Sequence, residues 1–224
     1  MLTITFMSMK GGTGKTTVAT WLAAAFHNAG YQVALVDADP TMSALEWNDL
    51  AVHISGQKLP FPVYGLATPD LPARLRDIRV PRDITVIDAP QMENHKLIVT
   101  AAARIADEIV LPVSPTPIEL NRTSPARRRI HEIAGSDAGG QPPNWSDAST
   151  RPRVSVLLNR CITNALSTGE ARRELTRIGF HVLTSQIPRL ELYAQSLGDS
   201  DLRTTGTTFE QLAYELLARA ETKR

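Results

Sequence analysis

A cluster of glycines and lysines near the start of the chain has the spacing of a loop that binds phosphate groups. The run MKGGTGKTT occupies positions 9–17, between residues that predict a strand and residues that predict a helix. Glycines let backbone N–H groups turn inward around phosphate oxygens, and the helix start adds partial positive charge. We expect Lys15 to contact the β- and γ-phosphates of a nucleotide and Thr16 to bind Mg²⁺. The residues expected to bind the nucleotide here are Lys10, Gly11, Gly12, Thr13, Gly14, Lys15, Thr16 and Thr17.

Carboxylate side chains lie at the carboxyl ends of two other predicted strands. Asp37 and Asp39 lie in the run VDADP, and Asp88 lies in the run VIDAP. In open α/β sheets the carboxyl ends of the strands form the edge at which ligands bind, so these groups should lie beside the phosphate loop. Asp88 has the position of a carboxylate that holds Mg²⁺ through water at the end of an apolar strand. The loop and the strand ends together predict a site for Mg²⁺ and ATP.

The loop departs from the usual phosphate-loop pattern, because Met9 replaces the first glycine and a second lysine, Lys10, follows it. In this form, K-G-G-x-G-K-T-T, the loop resembles that of the deviant Walker A, or ParA/MinD, ATPases, and the resemblance covers nearly the whole chain. It implies that Lys10 crosses a dimer interface to the phosphates of the neighbouring subunit's ATP. There a second cation would stabilise charge in the transition state, as an arginine finger does.

The same resemblance implies roles for the two aspartates that follow the second strand. Asp37 would lie near the metal, while Asp39 would orient the attacking water and act catalytically with Lys10 and Lys15. The run from Asp39 to Trp47 is similar to the D-P-Q-x-S-x-x-x-W element of small plasmid-partition ATPases, with Thr41 in place of the glutamine. The resemblance therefore implies slow hydrolysis of ATP to ADP and phosphate, accelerated by a partner.

The resemblance implies that two later segments complete the nucleotide site. Asn159 ends one predicted strand and Arg160 follows it, while Pro188 comes after the last predicted strand. The Asn159 amide offers the donors and the acceptor that suit an adenine edge, and Pro188 would pack on the ring. The alternative is that both segments are only strand ends and turns.

Short apolar runs alternate with helical stretches along the chain, which predicts an α/β fold: one doubly wound, mostly parallel sheet with helices on both faces. We expect a single domain over residues 1–224, with a mobile surface loop at 135–152, which is rich in Gly, Pro, Ser and Asp. The predicted strands span 2–8, 32–37, 84–88, 108–113, 154–159 and 181–186. The predicted helices span 16–29, 118–133, 165–178 and 208–222.

Composition excludes several classes of protein. No apolar run approaches the roughly 20 residues that a membrane-spanning helix needs, and the one cysteine, Cys161, has no partner for an internal disulfide. Both observations favour a cytoplasmic protein. Paired metal-binding cysteines are missing, which argues against electron transfer.

Charge is unevenly distributed, although the net charge is only +1. Residues 119–189 carry 11 basic and 6 acidic side chains, while the parts before and after are slightly acidic. This basic part suggests nonspecific, salt-sensitive binding to DNA phosphates, and the alternative is a solvated helix surface. The candidate DNA-binding residues are Arg122, Arg127, Arg128, Arg129, Arg172, Arg173, Arg177 and Arg189.

The resemblance implies a DNA partition ATPase that forms a homodimer with ATP, associates with the nucleoid, and is stimulated by a small DNA-binding adaptor of the ParB-like or ribbon-helix-helix type. A VirC1-like accessory ATPase of DNA transfer is a close alternative. A second alternative is a MinD-like membrane-associated positioning ATPase, but acidic residues on the last helix argue against stable membrane association. A third is a metabolic enzyme with a similar loop, since one fold serves many chemistries.

Overall fold

The computed structural model describes residues 1–135 and 152–221, with the side chains at 127, 131, 134 and 135 left out. The predicted loop 135–152 therefore lies almost wholly outside the described residues. The elements follow in the order β1 (Leu2–Ser8), α1 (Lys15–Asn28), β2 (Val33–Asp37), α2 (Ser43–Ser55), β3 (Val63–Gly65), α3 (Leu71–Asp77), β4 (Ile84–Gln91), α4 (Lys96–Arg104), β5 (Glu108–Val113), α5 (Pro117–Gly135), β6 (Arg153–Cys161), α6 (Leu166–Arg177), β7 (His181–Pro188), α7 (Glu191–Ala194) and α8 (Thr208–Glu221).

The described strands form one seven-stranded sheet in the order β3-β2-β4-β1-β5-β6-β7. Every described pair of neighbouring strands is parallel. β1 lies in the middle, between β4 and β5, and is buried along nearly its whole length. Because the strands are parallel, their carboxyl ends share one edge of the sheet, where the phosphate loop and the aspartates also lie.

Helices pack on both faces of this sheet. Successive strand residues point to opposite faces, so Phe6 joins the hydrophobic cluster formed with Trp21 of α1 and Phe209 of α8. Met7 joins the cluster on the other face, which includes Ile130 of α5. The structure thereby confirms the predicted α/β class and the parallel sheet with two covered faces.

The observed elements differ from the predicted ones mainly where the signal is short. β3 has only three residues, which are half-buried or exposed, so its pattern has no apolar run to reveal it. The sequence pattern also did not predict four of the helices, namely the short α3, α4 and α7 and the longer α2. β4 extends three residues beyond the predicted end at position 88, to Gln91. That extension brings Gln91 to the level of the phosphate loop.

Candidate nucleotide-binding site

The phosphate loop owes its shape to two glycines in the left-handed region. Gly12 has φ 80° and Gly14 has φ 83°, which residues with a side chain rarely adopt. Gly14 caps α1, whose first residue is Lys15, and the Ser8 hydroxyl donates a hydrogen bond to the Lys10 carbonyl at 2.8 Å. The chain therefore turns tightly from β1 into α1 and leaves the amino end of that helix at the loop, as phosphate binding requires.

Asn159, near the end of β6, fixes the loop by a hydrogen bond. Its Nδ2 donates to the Thr13 carbonyl at 2.8 Å, and its Oδ1 accepts from the backbone N–H of Arg160 at 2.9 Å. A Cβ at position 14 would lie only 2.9 Å from the same Nδ2, so Gly14 is needed for close approach as well as for its φ. The structure thus gives Asn159 a contact with the loop that the sequence did not suggest, while its contact with adenine stays a prediction.

Thr16 and Asp88 form the candidate metal site. The Thr16 hydroxyl donates to Asp88 Oδ2 at 2.5 Å, and Asp88 is only 1% exposed. Its Oδ1 is buried without a hydrogen-bond partner among the described residues. Burial raises the pKa of Asp88 to about 7, although the nearby Lys15 ammonium and the hydrogen bond from the Thr16 hydroxyl act to lower this pKa. A buried, unpartnered carboxylate oxygen beside a hydroxyl fits Mg²⁺, whose charge would favour the ionised form.

Asp37 is fully buried next to Asp88, its partner in the β2–β4 register. Its carboxylate accepts three backbone N–H groups: that of Asp39 at 3.1 Å, and those of Ala44 and Leu45, at the start of α2, at 2.8 and 3.1 Å. Burial raises the pKa of Asp37 above its usual value, against the effect of these bonds. Asp37 therefore anchors the chain between β2 and α2, and its proximity to the metal stays a prediction.

Asp39 is held by Thr41, which takes the place of the glutamine in the D-P-Q element. Its Oδ1 accepts from both the backbone N–H and the hydroxyl of Thr41, each at 3.0 Å. The side chain is partly exposed, at the same sheet edge as Asp88. A fixed carboxylate at this edge can orient a water molecule, which is the predicted role.

A cavity of about 480 Å³ opens beside the loop, next to the ends of β6 and β7. This volume is in the range of small-molecule sites, and the predicted residues Asn159, Arg160 and Pro188 line it. Sequence analysis missed other lining residues. Ser114 and Thr116 follow β5 and were open to the same argument about strand ends that identified Asp88. The full lining also includes Gly14, Thr17, Ile187, Arg189, Tyr193 and Phe209.

The candidate DNA-binding arginines have different surroundings. Four have partners within the described residues: Arg122 with Glu119, Arg129 with Glu132, Arg177 with Glu174, and Arg172 with the carbonyls of Val182 and Thr184. Three others are exposed: Arg128 on α5, Arg173 on α6 and Arg189 after β7. The side chain of Arg127 lies outside the described residues. Because α5 and α6 pack together, their exposed arginines belong to neighbouring helices.

Comparison with known proteins agrees with this geometry. The family model described as the CobQ/CobB/MinD/ParA nucleotide binding domain matches residues 4–202. Maintenance of carboxysome distribution protein A of Halothiobacillus neapolitanus is 26% identical over 198 residues, covering 87% of this chain and 83% of that protein. Protein virC1 of Rhizobium radiobacter is 46% identical over only 55 residues, 25% of this chain and 24% of that protein.

The fold is also that of a solved enzyme structure. Cobyrinic acid a,c-diamide synthase from Mycobacterium smegmatis, solved with an ATP analog and magnesium, has a TM-score of 0.70. It is 17% identical, with 100% of this chain and 97% of that chain covered. At this identity the likeness extends to the fold and not to the reaction.

Proposed function

Since the chain belongs to the CobQ/CobB/MinD/ParA nucleotide-binding family, and is an ATPase that uses ATP with Mg²⁺, we propose that it positions or segregates a cargo along DNA. In this proposal ATP binding forms a dimer that binds DNA nonspecifically. Hydrolysis, stimulated by a small DNA-binding adaptor, returns the subunits to a state that releases DNA.

The dimer step rests on the contrast between the two lysines of the loop. Lys15 is only 8% exposed, in keeping with contact to phosphates within its own subunit. Lys10 is exposed, while its backbone carbonyl accepts a hydrogen bond from the Ser8 hydroxyl. An exposed cation at this position suits contact with the phosphates of a neighbouring subunit's ATP. Lys10, Lys15 and Asp39 are the proposed catalytic residues.

The DNA step rests on one observation, the exposed arginines of two adjacent helices. Arg128 and Arg173 carry exposed guanidinium groups on α5 and α6, within the basic part of the chain. Their neighbours Arg129 and Arg177 pair with glutamates of their own helices, which lowers the positive charge available to a phosphate backbone. One subunit therefore offers few contacts, and two subunits together double them.

The nature of the cargo has a second candidate. The relative from Halothiobacillus neapolitanus is named for the distribution of carboxysomes and matches this chain over most of its length. That match makes a carboxysome a second candidate for the cargo, besides a DNA molecule. The match to virC1 covers a quarter of each chain, so it carries little weight for a role in DNA transfer.

The MinD-like alternative would use the last helix to bind a membrane. In the structure the apolar face of α8, with Phe209, Leu212 and Leu216, is buried in the core beside Trp21 of α1. Its amphipathic pattern is therefore accounted for by packing. Among the described residues, no helix combines the length and apolarity needed to cross a bilayer.

The proposal is tested by gel shifts on an unrelated DNA duplex with Mg·ATP, with Mg·ADP and without nucleotide. We expect binding with ATP only, and a weaker shift for the double variant Arg128→Ala/Arg173→Ala. The matched control is Arg74→Ala/Arg76→Ala, which removes two exposed arginines from α3. Equal binding in all three nucleotide states would contradict the switch, and equal effects of both double variants would contradict the proposed surface. Co-sedimentation with anionic liposomes tests the membrane alternative.

A further inference from the structure

The side chain of Gln91 extends over the phosphate loop. A Cβ at position 11 would lie 2.7 Å from Gln91 Nε2, closer than real atoms approach, so the amide packs directly on the backbone of Gly11. In the register of β1 and β4, Gln91 lies opposite Ser8, and the backbone N–H of Met92 donates to the Ser8 carbonyl at 3.0 Å. The end of β4 is thereby fixed beside the start of the loop.

The order of strands indicates which part of a nucleotide Gln91 faces. The cavity suited to the base lies at the ends of β6 and β7, on one side of the central β1. Gln91 and Asp88 belong to β4, on the other side. A nucleotide with its base in the cavity and its phosphates along the loop therefore has its terminal phosphate toward β4. Gln91 is then near that phosphate and far from the base.

The orientation of the amide suits an anionic ligand. Asn94 Nδ2 donates to Gln91 Oε1 at 3.5 Å, which leaves the Gln91 NH₂ group toward Gly11. Separately, the backbone carbonyl of Gln91 accepts from the backbone N–H groups of Asn94 and His95, at 3.3 and 3.5 Å, immediately before α4. An amide N–H that faces a phosphate site donates a charge-assisted hydrogen bond, which is stronger than a neutral one.

We propose that Gln91 recognises the γ-phosphate: its side-chain amide donates to that group and so favours ATP over ADP. This proposal rests on the ATPase activity of the site, and it does not rest on the binding of DNA or cargo. The same residue is joined to the start of α4, because its backbone carbonyl accepts from the N–H groups of Asn94 and His95. Gln91 is a binding residue in this proposal, additional to the lysines and the metal site.

The experiment is a calorimetric titration of wild type and variants with a non-hydrolysable ATP analog and with ADP, both with Mg²⁺. Gln91→Ala should weaken binding of the analog by about tenfold, equivalent to about 1.4 kcal/mol, and binding of ADP by less than about twofold, because only the analog loses a charge-assisted hydrogen bond. Gln91→Glu should weaken the analog further, because it places a carboxylate beside the γ-phosphate. Glu93→Ala, at an exposed position in the same turn, is the matched control and should change neither affinity.

A purely structural role for Gln91 predicts a different result. Loss of packing against Gly11 would distort the loop and weaken ADP and the analog equally, which would overturn the proposal, as would unchanged affinity for both. Gln91→Asn keeps the amide but shortens its reach, so it should lose the preference for ATP while retaining the fold, and it replaces Gln91→Ala if that variant does not fold. Absence of ATP-dependent DNA binding in the wild type would contradict the proposed function but not the role of Gln91, because the titration contains no DNA.

Discussion

Lys10 and Lys15 belong to one loop, yet their surroundings differ. Lys15 is buried at the first position of α1, while Lys10 is exposed. We expect Lys15→Ala to weaken ATP binding by roughly tenfold to a hundredfold, since it removes a charged partner of the phosphates.

Lys10→Ala should keep ATP binding in the monomer and lose ATP-dependent dimerisation. Nucleotide titration and light scattering measure the two effects separately. ATP-dependent dimers of normal stability in Lys10→Ala would remove the reason for assigning that lysine to the partner's site.

Asp39 provides the second test at the level of single residues. Both hydrogen bonds from Thr41 hold one oxygen of its carboxylate, so the group is oriented before any ligand binds. Asp39→Asn preserves the size of the side chain but removes the negative charge to which the attacking water donates a hydrogen bond. Turnover should fall by about a hundredfold, as for a misplaced reactant, with ATP affinity little changed. Steady-state hydrolysis and titration measure this, and undiminished turnover would assign the water to another group.

The sequence predicted those residues of the site that occupy a fixed position in a motif. Thr16 and Asp88 indeed meet, because a parallel sheet brings the loop and the strand end to one edge. The contact of Gln91 with Gly11 depends on three further residues of β4 and on a side-chain rotamer. Neither is encoded by a spacing. The contacts of Asp37 with α2 were missed for a related reason, since that helix had not been predicted.

Among the secondary-structure elements, β7 has an irregular register with its neighbour β6. Its register with β6 shifts between Val182 and Gln186, and within this interval the N–H groups of Thr184 and Ser185 donate to the two Glu215 oxygens of α8, at 2.6 and 2.8 Å. The sequence predicted a strand over 181–186 but could not reveal the shift, or a contact with a carboxylate thirty residues later. Glu215 thus joins α8 to the edge strand.

The Glu215 contact predicts a pH-dependent loss of stability. Burial would raise the pKa of Glu215, but the two backbone N–H bonds outweigh it and hold the pKa below the usual 4.5. The folded state therefore gains stability from the carboxylate above that pH, and loses it as the pH falls toward the folded-state pKa. Glu215→Gln should lower the free energy of unfolding by about 1 kcal/mol at neutral pH. The difference from wild type should shrink below about pH 4.5.

Urea denaturation of both proteins across this pH range measures the effect. Glu221→Gln, at an exposed position at the end of the same helix, removes the same charge without a strand contact and is the matched control. A difference between wild type and Glu215→Gln that stays constant with pH would mean that the lost contact is not that of an ionised carboxylate.

At the scale of the whole molecule, the loop, the dimer and the arginines make a combined prediction. Each phosphate that a protein neutralises adds about −0.9 to the slope of log affinity against log salt concentration. Two subunits on one duplex present Arg128 and Arg173 twice, so the slope of the ATP-bound wild type should be about twice that of a protein restricted to monomers. Lys10→Ala supplies that monomer, because it should bind ATP without dimerising. Fluorescence anisotropy on one labelled duplex, with Mg·ATP at several salt concentrations, measures both slopes. If the two proteins give the same slope and affinity while only wild type dimerises, DNA binding does not depend on the dimer, and the proposed switch is wrong.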